Sequence, residues 1–119
     1  MTRKKPEAFL PLKSNWFHIL LSLVGGEQHG YGIMQEVARQ SEGRYKIGPG
    51  TLYDNLKKMM SQGLVEETSG PSAATDPRRR YYRLKVLGRT VLAEELKRLE
   101  TVLREARTNL KFLKPRGAS

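Results

Sequence analysis

The sequence contains no cysteine, which removes disulfides, thiolate metal sites and cysteine nucleophiles from consideration. Its only histidines are His18 and His29. They do not stand at i, i+3 or i+4 and have no thiolate companion, so they suggest no metal centre and read as structural. Long apolar runs are missing as well. The longest, ILLSLV at 19–24, falls far short of the roughly 20 residues that a membrane span requires. The start, MTRKKPEAFLPLK, is basic but leads into no long apolar region or small-residue cleavage site, so a cytoplasmic location is expected. Acidic residues are scarce: 12 Asp plus Glu stand against 22 Lys plus Arg, a net charge of +10. That imbalance points to a polyanionic partner, either nucleic acid or an anionic membrane surface. At 119 residues the chain suits one domain, or one domain with an appended helix, enough for a modest core and too little for a large catalytic fold.

Residues 1–13 mix charge with two prolines and read as a flexible basic arm. Ser14 is a candidate N-cap for a helix carrying Trp16, Phe17, Ile19, Leu20, Leu21, Leu23 and Val24, which Gly25 and Gly26 end. After the turn HGYG, Ile33, Met34, Val37 and Ala38 recur at helical spacing as a second helix. A third helix follows GPG at 48–50. Either Pro49 occupies its first turn, or Thr51 caps it with Asp54 completing a capping box. Leu52, Leu56, Met59 and Met60 form its apolar stripe, and Gly63 stops it. Its other face carries Thr51, Tyr53, Asp54, Asn55, Lys57 and Lys58, side chains able to meet phosphates and base edges.

LVEET at 64–68 reads as a strand and RRYYRL as its return, with Tyr82 and Leu84 on one face and Tyr81 and Arg83 on the other. Between them, small turn-forming residues make a loop at about 69–79. Three helices followed by a hairpin is the order of a winged helix-turn-helix domain, here spanning 14–84. Arg78, Arg79 and Arg80 then lie where the loop enters the returning strand. Arginine suits that place, because its planar fork grips phosphate and favours narrow minor grooves.

From 85 to 113 no proline or glycine follows Gly88. Leu92, Leu96, Leu99, Leu103, Ala106, Leu110 and Leu113 recur in alternating steps of four and three, an a/d heptad seam. Such a helix would project beyond the domain and needs a partner, for which a second copy of the chain is the simplest choice. The alternative is a helix folded back along 16–24, and the two are compatible, since the first helix could pack against the partner's fourth. Residues 114–119 are a short tail. A two-fold dimer would read a pseudo-palindrome with half-sites about one DNA turn, or a multiple, apart.

The segments HGYGIMQEVARQSEG, IGPGTLYDNLKKMMSQGLVEE and RRRYYRLKVLGRTVL resemble, in order and spacing, the PadR family of bacterial transcriptional regulators. A single helix after the hairpin is similar to the short subgroup. The resemblance implies a mainly α fold with a small β-hairpin, and a homodimer that represses transcription from a DNA operator. It implies that Tyr31, Thr51, Tyr53, Asn55 and Lys57 lie at or near DNA, with Arg79 and Arg80 at the wing base. It also implies that a planar apolar effector can sit at the dimer interface, where Trp16 and Phe17 are the candidate lining. No cofactor is expected. Lys85 departs from the family, which commonly has threonine there to cap the last helix.

Two other readings share the charge. A non-specific architectural DNA binder would need no face bearing Thr51, Tyr53 and Asn55. A module for anionic membranes would need an interfacial amphipath, which the regular seam and evenly spread charges of the last helix do not provide. An enzyme is disfavoured: GGEQHGYG lacks the strand and Lys-Ser/Thr signature of a phosphate loop. The acidic pairs Glu66–Glu67 and Glu94–Glu95 fit exposed surface.

Overall fold

A computed structural model of the chain describes residues 4–70 and 79–112. It is mainly helical with a small antiparallel sheet: α1 (Ser14–Ser22), β1 (Gln28–His29), α2 (Gly30–Gln40), α3 (Pro49–Ser61), β2 (Val65–Thr68), β3 (Tyr81–Leu84) and α4 (Val86–Phe112). The sheet order is β1-β3-β2. This is the winged helix with a long final helix that the element order predicts.

The core is built from alternate elements around one apolar cluster. Ile19 and Leu20 of α1, with Leu23 just past its end, meet Ile33 and Val37 of α2, Leu52, Leu56 and Met59 of α3, Val65, Tyr82 and Leu84 of the sheet, and Val91 of α4. Strand pairing sets Val65 opposite Leu84 and Glu67 opposite Tyr82. Tyr82 and Leu84 are buried while Arg83 is exposed, so the period-two alternation holds.

Helix boundaries follow local chemistry, with corrections. Ser14 is the first helical residue of α1 rather than its cap; Lys13 takes the cap position without a side-chain bond. In α3, Gly48 caps and Pro49 opens the helix, and Thr51 forms no capping box. Proline suits that turn because its missing N–H would have had no intrahelical partner. Gly63, at φ +78, ends α3 in the left-handed region that favours glycine. Strand β1 adds to the expected hairpin: its two residues pair with Tyr81 and Tyr82 and are too few to show a period in the sequence.

The basic arm is also corrected. Pro6–Phe9 form a 3-10 turn, Phe9 is buried, and the segment lies against α4. The Leu12 N–H donates to Glu95 Oε2 at 2.7 Å, fixing the approach to α1. Glu95 is therefore not surface; its side chain is 2% exposed and pairs with Arg98. Arg98 holds this carboxyl below its ordinary range, helped by the Leu12 N–H and opposed by burial.

Helix α4 starts tightly against β2. The Lys85 N–H reaches the Leu64 carbonyl at 3.0 Å, and a Cβ at Gly88 would come within 2.0 Å of the same oxygen. Only glycine admits this crossing. Of the seam, Leu92 is buried in the chain's own core, which corrects its assignment to an intermolecular contact. Beyond Glu95 the helix is mostly exposed, with Leu99 half-buried. Leu113 lies outside the described residues.

Candidate nucleic-acid interface

Helix α3 divides into two faces because 3.6 residues make a turn. Leu52, Leu56 and Met59 point into the core, whereas Thr51, Tyr53, Asp54, Lys57 and Lys58 are exposed. Asn55 falls with the first group. It is only 8% exposed, its Oδ1 accepts from Trp16 Nε1 at 2.9 Å, and its Nδ2 donates to the Thr51 carbonyl at 2.7 Å. Asn55 is thus removed from the exposed face: the step from Leu52 to Asn55 to Met59 keeps it on the core stripe. The same bond alters the picture of Trp16. Its indole N–H is engaged within the chain, and both Trp16 and Phe17 are half-buried against the core.

Beside α3 stands the N-terminus of α2. The His29 imidazole caps it, Nδ1 accepting from the Gly32 N–H at 3.0 Å, which gives this histidine a structural task. Tyr31 follows, 63% exposed, its ring nearly parallel to that of His29. The Tyr53 hydroxyl lies against Gly30, where a Cβ would stand 2.2 Å from it. Glycine at position 30 therefore leaves room for the Tyr53 phenol to lie against the start of α2.

The returning strand completes the site. Arg79 and Arg80 are exposed and, with His29, Gly30, Tyr31, Tyr53 and Tyr82, line an open cleft of about 630 Å³. Sequence residues from three separate elements thus meet at one surface: Tyr31, Tyr53, Arg79 and Arg80 in the cleft, with the exposed Thr51, Lys57 and Lys58 sharing the helix that carries Tyr53. Arg78 lies outside the described residues.

Charge at the site is partly internally balanced. Lys58 Nζ is 3.2 Å from Asp54 Oδ2. Arg80 Nε is 3.6 Å from Glu67 Oε1, and Arg83 Nε is 2.9 Å from Glu66 Oε2 across the hairpin. These pairs are exposed, so each contributes about 0–1 kcal/mol and leaves its cation available to a phosphate. Burial pushes the Tyr82 hydroxyl up, reinforced by Glu67, and keeps the phenol neutral in the cleft floor. Glu67 and His29 belong to the site's surroundings although sequence reading assigned them no part in it; only strand pairing brings Glu67 to Arg80. The arrangement offers hydroxyls, aromatic edges and cations to an extended anion. Among the described residues no cluster of metal-ligating side chains occurs, and no helix is long and apolar enough to cross a membrane.

Comparison with known proteins agrees with this fold. The model of the transcriptional regulator PadR-like family matches residues 19–94. Transcriptional regulator Rv3488 of Mycobacterium tuberculosis is 35% identical over 88 residues, covering 74% of this chain and 78% of that protein. A PadR family transcription regulator from Clostridium difficile superposes with a TM-score of 0.65 at 24% identity, covering 82% of this chain and 99% of that one. Bacillus subtilis PadR, solved in complex with operator DNA, superposes at 0.61 with 22% identity, covering 72% of this chain and 48% of that one. These structures share the fold, and the family model spans the helices, the hairpin and the start of α4 that build the site: the chain belongs to the PadR-like family of transcriptional regulators.

Proposed function

We propose that the chain is a cytoplasmic, homodimeric, sequence-specific DNA-binding repressor. The observation that carries this reading is the convergence of Tyr31, Tyr53, Arg79 and Arg80 in one open cleft beside the exposed face of α3. In this reading α3 enters the major groove. Thr51 and Tyr53 meet base edges, and Lys57 and Lys58 meet phosphates. Arg78, Arg79 and Arg80 grip the flanking backbone or minor groove. The complex of Bacillus subtilis PadR with operator DNA supports the partner class.

Dimerisation would use the seam beyond the core, through Leu96, Leu99, Leu103, Ala106, Leu110 and Leu113. Leu96, Leu103 and Leu110 are exposed in the single chain, which supports a partner on that face. A two-fold pair of α3 helices would then read a pseudo-palindromic operator. Release by a planar apolar effector would occur at the interface, against Trp16 and Phe17. Because the Trp16 indole N–H is already engaged by Asn55, stacking rather than hydrogen bonding would hold such a ligand.

The test is selection of random duplex DNA by the purified protein at near-physiological salt, followed by sequencing. A two-fold symmetric enriched site is expected, and its half-site spacing measures the separation of the reading heads. Salt dependence adds a second criterion. If about ten cations of the dimer meet phosphate, log K falls with log salt at a slope of about −9. Tight, salt-sensitive binding without an enriched site would instead identify an architectural DNA binder.

A further inference from the structure

Asn55 is an unexpected residue for the inward face of α3. Asparagine is a weak helix former because its amide competes for backbone groups, and its neighbours Leu52, Leu56 and Met59 are 0% exposed. A leucine at position 55 would continue their stripe. Instead the amide spans two elements, from the Thr51 carbonyl on its own helix to the Trp16 indole on α1.

Apolar burial is non-directional, so Leu52, Leu56 and Met59 hold α3 against the core without sharply defining its roll about its own axis. A side-chain hydrogen bond of 2.9 Å to another helix does define it. The consequence at the reading face is large. A roll of about 20° swings a side-chain tip, on a radius of roughly 5 Å, through roughly 2 Å. That displacement breaks a base-edge hydrogen bond but leaves a lysine near its phosphate.

We infer that the Trp16–Asn55 hydrogen bond sets the rotation of α3, making Trp16 and Asn55 positioning residues for sequence discrimination that act without themselves touching DNA. This rests on the reading of α3 as the recognition helix. The polar pair acts as a register pin, the use of buried polar groups that is best attested. Its effect falls on discrimination between sequences, because phosphate contacts tolerate the roll and base contacts do not.

The test compares the parent chain with Asn55→Leu, Trp16→Phe and the double variant in parallel DNA selections. Affinity for one random duplex and thermal unfolding are measured on each. Each single change leaves one polar atom of this partly buried pair without its partner and should lower the melting temperature. The double variant removes both groups and should recover stability. Discrimination between the parent's selected site and random duplex should fall about tenfold in the double variant, while affinity for random duplex changes less than about twofold. A double variant that is stable and as selective as the parent overturns the inference but leaves the recognition helix intact. If the parent selects no site, the recognition reading itself fails and the inference falls with it.

Discussion

Helix α4 is continuous over Val86–Phe112 and keeps one heptad rhythm, yet its two halves occupy different surroundings. Proximally, Val91, Leu92 and Glu95 are buried among α1, the sheet and the N-terminal segment. Distally, Leu96, Leu103 and Leu110 are 40%, 50% and 67% exposed. Spacing does not distinguish the halves, because steps of four and three serve a domain's own core and an intermolecular seam equally well. What separates them is reach: a helix rising about 1.5 Å per residue leaves a small domain after two or three turns. The proximal half is therefore part of the fold, and the distal half is a surface.

The largest effect that could break this division is at Leu92. Its replacement by alanine should cost about 2–5 kcal/mol, as a buried leucine truncation does when the site cannot collapse. The loss should be independent of protein concentration. Urea denaturation at two concentrations reads it as a shifted midpoint with an unchanged slope. A cost below about 0.5 kcal/mol would return Leu92 to the intermolecular seam.

Glu95 marks the boundary and gives the next effect. Its carboxylate is held low by Arg98 and the Leu12 N–H. The folded chain therefore resists protonation more than the unfolded chain does, so the stabilisation is whole above the ordinary carboxylate range near 4.3. It is lost as the pH falls through the depressed folded value. Arg98 is 38% exposed, so solvent screens the pair and reduces its worth. Glu95→Gln should cost about 1–2 kcal/mol at neutral pH. The variant and parent should converge as the medium is acidified from pH 5. Parallel melting-temperature curves across that range would show that Glu95 does not anchor the N-terminal segment.

Much of this architecture was legible because local chemistry and tertiary packing agree. Pro49 and Gly63 bracket α3 by backbone geometry alone, and the alternation at Tyr81–Leu84 fixes which side chains enter the core. The exposed polar face of α3 followed from its apolar stripe. Asn55 lies inward because position outweighs residue type: its i+3 step from Leu52 and i+4 step to Met59 put it on the core stripe. Other features depended on distant partners. Phe9 is buried only because α4 lies across the N-terminal segment, and Glu95 is tolerated in the interior only because Leu12 and Arg98 satisfy it. Strand β1 needed β3 beside it to exist. The Arg80–Glu67 pair needed the hairpin register.

The smallest effect, and the sharpest for the comparison, belongs to Leu110. At 67% exposure it makes little of the single chain's core. Leu110→Ala should change the stability of the dilute protein by no more than about 0.5 kcal/mol. A seam residue, however, contributes through association, and a dimer's apparent stability rises with concentration by mass action. The parent should therefore melt higher as concentration increases, and the variant should show a shallower rise with a weaker dimer in sedimentation equilibrium. Melting curves of parent and variant that coincide at every concentration would assign the seam elsewhere. The apolar spacing of the distal half would then be helix surface, and the proposed two-fold pairing of α3 helices would have to run through another part of the chain.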